Sequence, residues 1–477
     1  MAIRMVALLR TPKANYERLS ALDASFLYVE SPVDHMHVAS LAFFEDTGAG
    51  EEELNAHIES RLALVPRFRK KLKWVPFGAD RPVWIDDPHF DIRFHIRHTG
   101  LPKPGGEREA LRLMGRLIST PLDRRRPLWE IWMFDLPGDR KAVIQKTHHC
   151  LIDGISGVDL GTVILDLSRD APRRPPEPWT PEPEPTKPAL LRDALLGQVR
   201  QPATMFRNAR AFVSATPRSE LARRSGDVAR GVLALGKQSF DFAPQTSLSA
   251  RIGPHRRFDI VRAELAVVKR LKNRFSCTVN DVVLASVAGG VGRLLRERGD
   301  NTDGLLLKAM VPVSVRDPSQ RMTYGNMVSM MAADLPVGER HPVKRIEIMR
   351  DKMAGLKESK QAVGADFWVK LSEYAPPTVL ALAGRATALQ RMVNLVVTNI
   401  PGPQFPLYLL GGQMLEAFPC VPIFGTASLG VAILSYNGKL SFGVTGDYDI
   451  VPDLHVLSQG IETSLLELCD AAGVRPE

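Results

Sequence analysis

Cysteine is scarce in this chain. Four occur in 477 residues, Cys150, Cys277, Cys420 and Cys469, far apart and with no CxxC pair. That excludes a zinc ribbon and a disulfide framework and suits a reducing, cytoplasmic setting. Long apolar runs are also missing. The greasiest stretch, PPTVLALAGRATALQRMVNLVV, is broken by Arg385 and Arg391, and nothing reaches the ~20 apolar residues that span a bilayer. The start, MAIRMVALLRTPK, has a short apolar run and no small-residue cleavage site, so no signal peptide is expected. Neither GxGxxG nor GxxxxGKS/T follows a strand, which removes the common phosphate loops. A GxSxG elbow is absent as well, which argues against an α/β-hydrolase. The basic runs RRPPEP and LARRSGDVAR carry no interleaved aromatics, so no nucleic-acid partner is expected.

What is present is the composition of a folded globular protein, 44% apolar and 24% charged. The formal charge of +9 favours anionic partners, such as an acidic lipid surface or a phosphorylated cofactor, without choosing among them. The length suits two domains or one pseudo-repeated body. The clearest boundary is RDAPRRPPEPWTPEPEPTKPALL, where eight prolines between Pro172 and Pro188 forbid a helix interior or a central strand. It reads as a semi-rigid exposed linker. The expected division is residues 1–170, a linker with connecting helices over 171–250, and residues 251–477.

Helices and strands alternate on both sides of that linker. Before it, EEELNAHIESRLALV and GEREALRLMGRLIST read as helices, and PVWID, FDIRFHIRH, WEIWMFDL and KAVIQKT as strands. After it come strand FDIVRAEL, helix LAVVKRLKNRF, and helix TVNDVVLASVAGGVGRLLRER opened by Thr278. Strands LLLKAMVPVSV and NMVSMMAADL follow, then helices over 343–360 and 365–391, strand NLVVTNI, and a hairpin turning at Asn437-Gly438, a type I′ signal. A last helix covers about 453–471. The fold class is therefore mixed α/β, in two halves of similar size.

The segment KTHHCLIDGISG, Lys146 to Gly157, carries the chemistry. The two histidines fall at the end of a strand, and GISGVDLGTVILDLS reads as a helix, so HHCLIDG is a strand-to-helix connection, where functional groups gather on a rigid scaffold. Gly154 permits a tight backbone there. A histidine is the natural general base near neutral pH. Asp153 can orient the imidazole, or bind an arginine and lock the turn; spacing alone leaves both open. A metal site needs three or four ligands. His35 and His37 lie in a strand-like run, HMHVASLAFF, with no acidic or cysteine cluster beside them, so no metal is expected.

LSALDASFLYVES followed by MHVASL, then PLDRRRPLWE, HHCLIDGISG, TVNDVVLA, PVSVR and VTNIPGP span nearly the whole chain. Together they resemble the bacterial wax ester synthase/acyl-CoA:diacylglycerol acyltransferase family. The resemblance implies two chloramphenicol-acetyltransferase-like domains with a substrate tunnel at their interface. It implies acyl transfer from acyl-CoA, as substrate with no further cofactor, to a long-chain alcohol or diacylglycerol. His149 would be the base and His148 would shape the site with some catalytic weight. Asn280 would be the oxyanion donor or positioning group; Thr398 and Asn399, at a strand end, would touch the thioester region or bond the turn. Asp153 would pair across the domains with Arg316. Asp281 would complement a helix N-terminus, and Trp129 would be core or tunnel wall. The small residues of ASVAGGVG would line an acyl channel or allow close helix packing. The family also implies attachment to the inner face of the plasma membrane or to lipid inclusions. Two other functions suit the same fold: condensation with carrier-protein thioesters, and non-catalytic lipid binding.

Overall fold

A computed structural model describes residues 15–152, 164–197, 242–314, 328–358 and 391–476, with residues 161, 378 and 382 besides. The expectations for Asp153, Gly154 and Arg316, and for the helix over 365–391 apart from residues 378, 382 and 391, concern residues outside those described.

In chain order the first half has β1 (Glu17–Arg18), α1 (Ala21–Val29), β2 (His37–Glu45), α2 (Glu51–Glu59), β3 (Lys70–Lys73), β4 (Val83–Asp86), β5 (Ile96–His98), α3 (Glu107–Ile118), β6 (Trp129–Leu136), β7 (Arg140–His148) and the single turn α4 (His149–Ile152). A helix over 187–197, α5, follows the proline segment. The second half has β8 (Arg256–Glu264), α6 (Leu265–Arg274), α7 (Val279–Glu297), β9 (Leu307–Ser314), β10 (Val328–Leu335), α8 (Pro342–Glu358), β11 (Leu395–Pro401), β12 (Tyr408–Leu409), β13 (Gly412–Cys420), β14 (Leu429–Tyr436), β15 (Lys439–Asp447) and α9 (Leu454–Ala472).

Two six-stranded sheets carry the two halves. The first has the order β12-β13-β2-β7-β6-β5, the second β10-β9-β11-β14-β15-β8. Period-two patterning decides the faces of the first. Leu41, Phe43, Ile144 and Phe134 point to the side covered by α3, with Met114 and Leu117. Phe44, Val143, Ile131 and Met133 point to the opposite side, toward Leu27 of α1 and Leu54 of α2. The second sheet lays Val261, Val311, Val431 and Phe442 against α6, α7, α8 and α9.

The first sheet is completed from the far end of the chain. Strand β13 pairs with β2, Cys420 opposite Ala39 and Phe418 opposite Leu41, with a bulge between Met414 and Glu416. It also passes over β15 so closely that a Cβ on Gly443 would collide with the Pro419 carbonyl. This exchange was not read from the sequence.

FDIRFHIRH was expected as one strand. Only Ile96–His98 pairs, parallel to β6. Asp91 caps a 3-10 turn over Ile92–Phe94 by accepting the Arg93 N–H at 3.0 Å, and a local Asp-to-backbone bond of this kind competes with the ladder. The Asn437-Gly438 turn has positive φ at both residues, 44° and 85°, as a type I′ turn requires. The proline segment is extended and strapped to a small third sheet, β1-β4-β3. Glu182 N–H donates to Asp86 at 3.0 Å, and Leu190 and Ala194 of α5 pack on Val83 and Ile85.

The small residues of α7 serve helix packing. A Cβ on Gly290 would come within 2.8 Å of the Ile461 nitrogen on α9, and one on Gly460 within 2.9 Å of the Gly290 Cα. The two backbones meet there, so no channel runs along that stripe.

Candidate active site

Strand pairing assembles the site. The β2–β7 register sets His37 opposite His148, the last residue of β7. His149 then opens α4, which packs on α1. Two backbone bonds pin the turn: His148 N–H donates to the Leu128 carbonyl at 3.0 Å, and His149 N–H to the Met36 carbonyl at 2.9 Å.

The adjacent histidines face different surroundings. His148 is 1% exposed. Its Nδ1 accepts the Cys150 N–H at 3.1 Å, with the Cys150 Sγ 2.9 Å away. An accepting Nδ1 puts the proton of the neutral ring on Nε2, which lies 3.3 Å from Oε2 of Glu30. Both ring nitrogens of His148 are thus turned to protein groups. His149 is half-buried, and its ring stacks on Phe26 of α1 at 4.0 Å between centroids, 22° from parallel.

Glu30 is the member of this cluster that the sequence reading missed. It is the C-cap of α1 and its carboxylate is 8% exposed. Oε1 lies 3.3 Å from His37 Nε2 and accepts the Met36 N–H at 3.3 Å. Oε2 accepts from Arg124 Nε at 3.1 Å and faces His148. Arg124 is therefore the counter-ion of this carboxylate. Burial pushes the Glu30 carboxyl up, but the hydrogen bonds and charges of His148 and His37 outweigh it and hold the group well below the usual carboxylate range. Burial drives His37 down to about 4, against the pull of Glu30, so the ring is neutral at pH 7. Burial also pushes the Cys150 thiol well above its ordinary value, so it stays protonated and is no nucleophile. His35 stacks on His37 at 5.6 Å, and His37 meets His148 edge-on at 5.7 Å. Among the described residues no group of three His, Cys, Asp or Glu side chains is arranged to hold a metal.

The other sequence-predicted residues fall in three places. Trp129 is 1% exposed, donates its Nε1–H to the Phe68 carbonyl at 2.8 Å and stacks on His95 at 4.5 Å; it is core beneath the site. Asp281 closes a capping box with Thr278, accepting the Thr278 N–H at 2.8 Å. Asn280, next to it, is half-buried in the first turn of α7. Thr398 and Asn399 lie near the end of β11, paired with Ala432 and Ile433. The Thr398 hydroxyl is buried and has no hydrogen-bond partner among the described residues. The turn beyond them is held by Gly402 N–H donating to the Ser435 carbonyl at 2.9 Å.

Residues 19–283 match the family model described as wax ester synthase/diacylglycerol acyltransferase catalytic domain, and residues 324–469 match that of its C-terminal domain. Two Mycobacterium tuberculosis proteins, each named a probable diacylglycerol O-acyltransferase, are both 32% identical. One aligns over 456 residues, 94% of this chain and 95% of its own length. The other aligns over 466 residues, 95% and 98%. Among solved structures, a wax ester synthase/diacylglycerol acyltransferase from Marinobacter aquaeolei superposes with a TM-score of 0.66 at 24% identity, covering 96% of this chain and 100% of that one. The first condensation domain of the calcium-dependent antibiotic synthetase superposes at 0.58 with 18% identity, covering 97% and 100%. These superpositions establish the shared fold.

Proposed function

Because the chain belongs to the wax ester synthase/diacylglycerol acyltransferase family, we propose that His149 is the general base of its acyl transfer. The enzyme moves an acyl group from acyl-CoA to a hydroxyl, giving wax ester or triacylglycerol and free CoA. A thioester is already activated, so the protein's tasks are to deprotonate the acceptor and stabilise the oxyanion. His149 takes the hydroxyl proton as the oxygen attacks the thioester carbonyl. The tetrahedral intermediate collapses, the C–S bond breaks, and the imidazolium returns its proton to the leaving CoA sulfur. No acyl-enzyme forms.

One observation carries this choice: both nitrogens of His148 are turned to Cys150 and Glu30, while the His149 ring is half-buried on a stacking partner. His148 is then a positioning residue. Asn280, Thr398 and Asn399 are proposed to meet the thioester and its oxyanion. Asp153 with Arg316 is proposed to clamp the histidine turn, with Gly154 giving it room. A tunnel between the halves would bring the two substrates together. Among the described residues no single helix is long and apolar enough to cross a membrane, and attachment to an anionic lipid surface is the reading its basic charge supports.

The test is thiol release from palmitoyl-CoA with hexadecanol or dioleoylglycerol as acceptor. His149→Ala should lower kcat on the order of 10²–10⁴-fold with an unchanged circular dichroism spectrum. Near-normal turnover by that variant would remove His149 as the base.

A further inference from the structure

Where the halves meet, α3 and β8 form the walls of a cleft of 890 Å³ that the chemistry above does not use. That volume suits a large small-molecule ligand. Its first wall is a row of arginines. Arg108, Arg112 and Arg116 recur every four residues on α3, are all exposed and line the cleft. Helical geometry stacks them on one face, where like charges repel. Among the described residues Arg108 and Arg116 make no ion pair, and Arg112 approaches only Glu109, at 3.9 Å. Glu109 is already engaged in capping the helix, accepting the Gly106 N–H at 3.0 Å. A row of unneutralised arginines is a phosphate-binding arrangement, since the guanidinium fork matches phosphate oxygens.

The opposite wall is aromatic. Tyr448 is 46% exposed, and the Arg257 guanidinium lies 3.8 Å from its ring centroid. Such a cation-backed ring offers a stacking surface for a base. Asp259 is the one carboxylate lining the cleft among the described residues, so the charge within it is strongly positive. The floor is tied to the interior by hydrogen bonds. Ser119 accepts the Arg256 N–H at 2.8 Å, and the Arg256 guanidinium donates to the Val33 carbonyl at 2.5 Å. Two residues beyond Val33 begin the stacked rings His35 and His37, which end on His148.

We propose that this cleft seats the nucleotide end of acyl-CoA. The phosphates lie on Arg108, Arg112 and Arg116, the adenine on Tyr448 and Arg257, and the thioester arm runs inward past Arg256. The assignment rests on acyl-CoA being the donor, and the experiment separates the two claims. Steady-state kinetics would compare the wild type with Arg112→Gln/Arg116→Gln, using palmitoyl-CoA, palmitoyl-dephospho-CoA and the nucleotide-free palmitoyl-N-acetylcysteamine thioester. Two lost charge-assisted contacts should raise KM for palmitoyl-CoA by about tenfold or more, with kcat little changed. The penalty should shrink with the dephospho donor and vanish with the nucleotide-free one. An unaltered KM for palmitoyl-CoA in the variant overturns the cleft assignment while leaving the acyltransferase reading intact. No turnover of any donor by the wild type overturns that reading instead. Loss of binding to phosphatidylglycerol vesicles with an unaltered KM would assign the same arginines to lipid headgroups and sink the proposal.

Discussion

At the scale of single residues, the site is a division of labour between two neighbours in the chain. His148 Nδ1 accepts a backbone N–H and its Nε2 faces the Glu30 carboxylate at 3.3 Å, while His149 is the proposed base. The Glu30 carboxylate faces both His148 and His37. Glu30→Gln keeps the shape but weakens the acceptor for His37, His148 and Arg124, so kcat should fall by about 10²-fold through misplacement of the turn, read by thiol release on folded protein. The same cluster couples stability to pH. His37 has a folded pKa of about 4 against an ordinary 6.5, so between those values the unfolded chain binds the extra proton. Stability is therefore full above pH 6.5 and lost as pH falls toward 4, by up to about 3 kcal/mol. Glu30, also depressed, pulls in the same direction at lower pH. Thermal melts from pH 7 to 4.5 should show this decline, and it should be shallower in His37→Gln. The histidine pair could be read from the sequence because its members are contiguous. Glu30 could not, because it is 118 residues from His148 and meets it only after β2 and β7 pair.

At the scale of elements, local chemistry was readable wherever the deciding contacts are local. Thr278 was assigned as the start of a helix, and it is the N-cap of α7, accepting the Asp281 N–H at 3.2 Å. Thr278→Ala should cost about 1 kcal/mol in urea unfolding. The glycines of the same helix were ambiguous because their meaning depends on α9, more than 150 residues later. With backbones in contact at Gly290 and Gly460, Gly290→Ala must push the helices apart. A loss of about 1–3 kcal/mol is expected from overpacking, seen as a lower urea midpoint. A value near zero would mean that the crossing relaxes freely. FDIRFHIRH failed for the opposite reason: its alternation is real, but one aspartate close by diverts the backbone into a turn.

At the scale of the whole molecule, two mixed α/β halves were expected, and two six-stranded mixed sheets, beside a small third one, are present among the described residues. What the linear reading lacked is that they share chain. Residues 408–420 belong in sequence to the second half and in space to the first sheet. Residues 1–250 produced alone should therefore be poorly folded by circular dichroism, and co-production with 251–477 should restore a soluble complex. A well-folded, cooperatively melting 1–250 fragment would contradict this. Proline punctuation marks where the backbone is stiff, not where the folding units part. The shared strand has a mechanical corollary. With β13 woven into one layer and pressed on the next at Gly443, gaping at this seam would require unzipping a registered ladder. In the proposed tunnel a fatty substrate would then enter end-on, like thread through a needle's eye, rather than between parted halves.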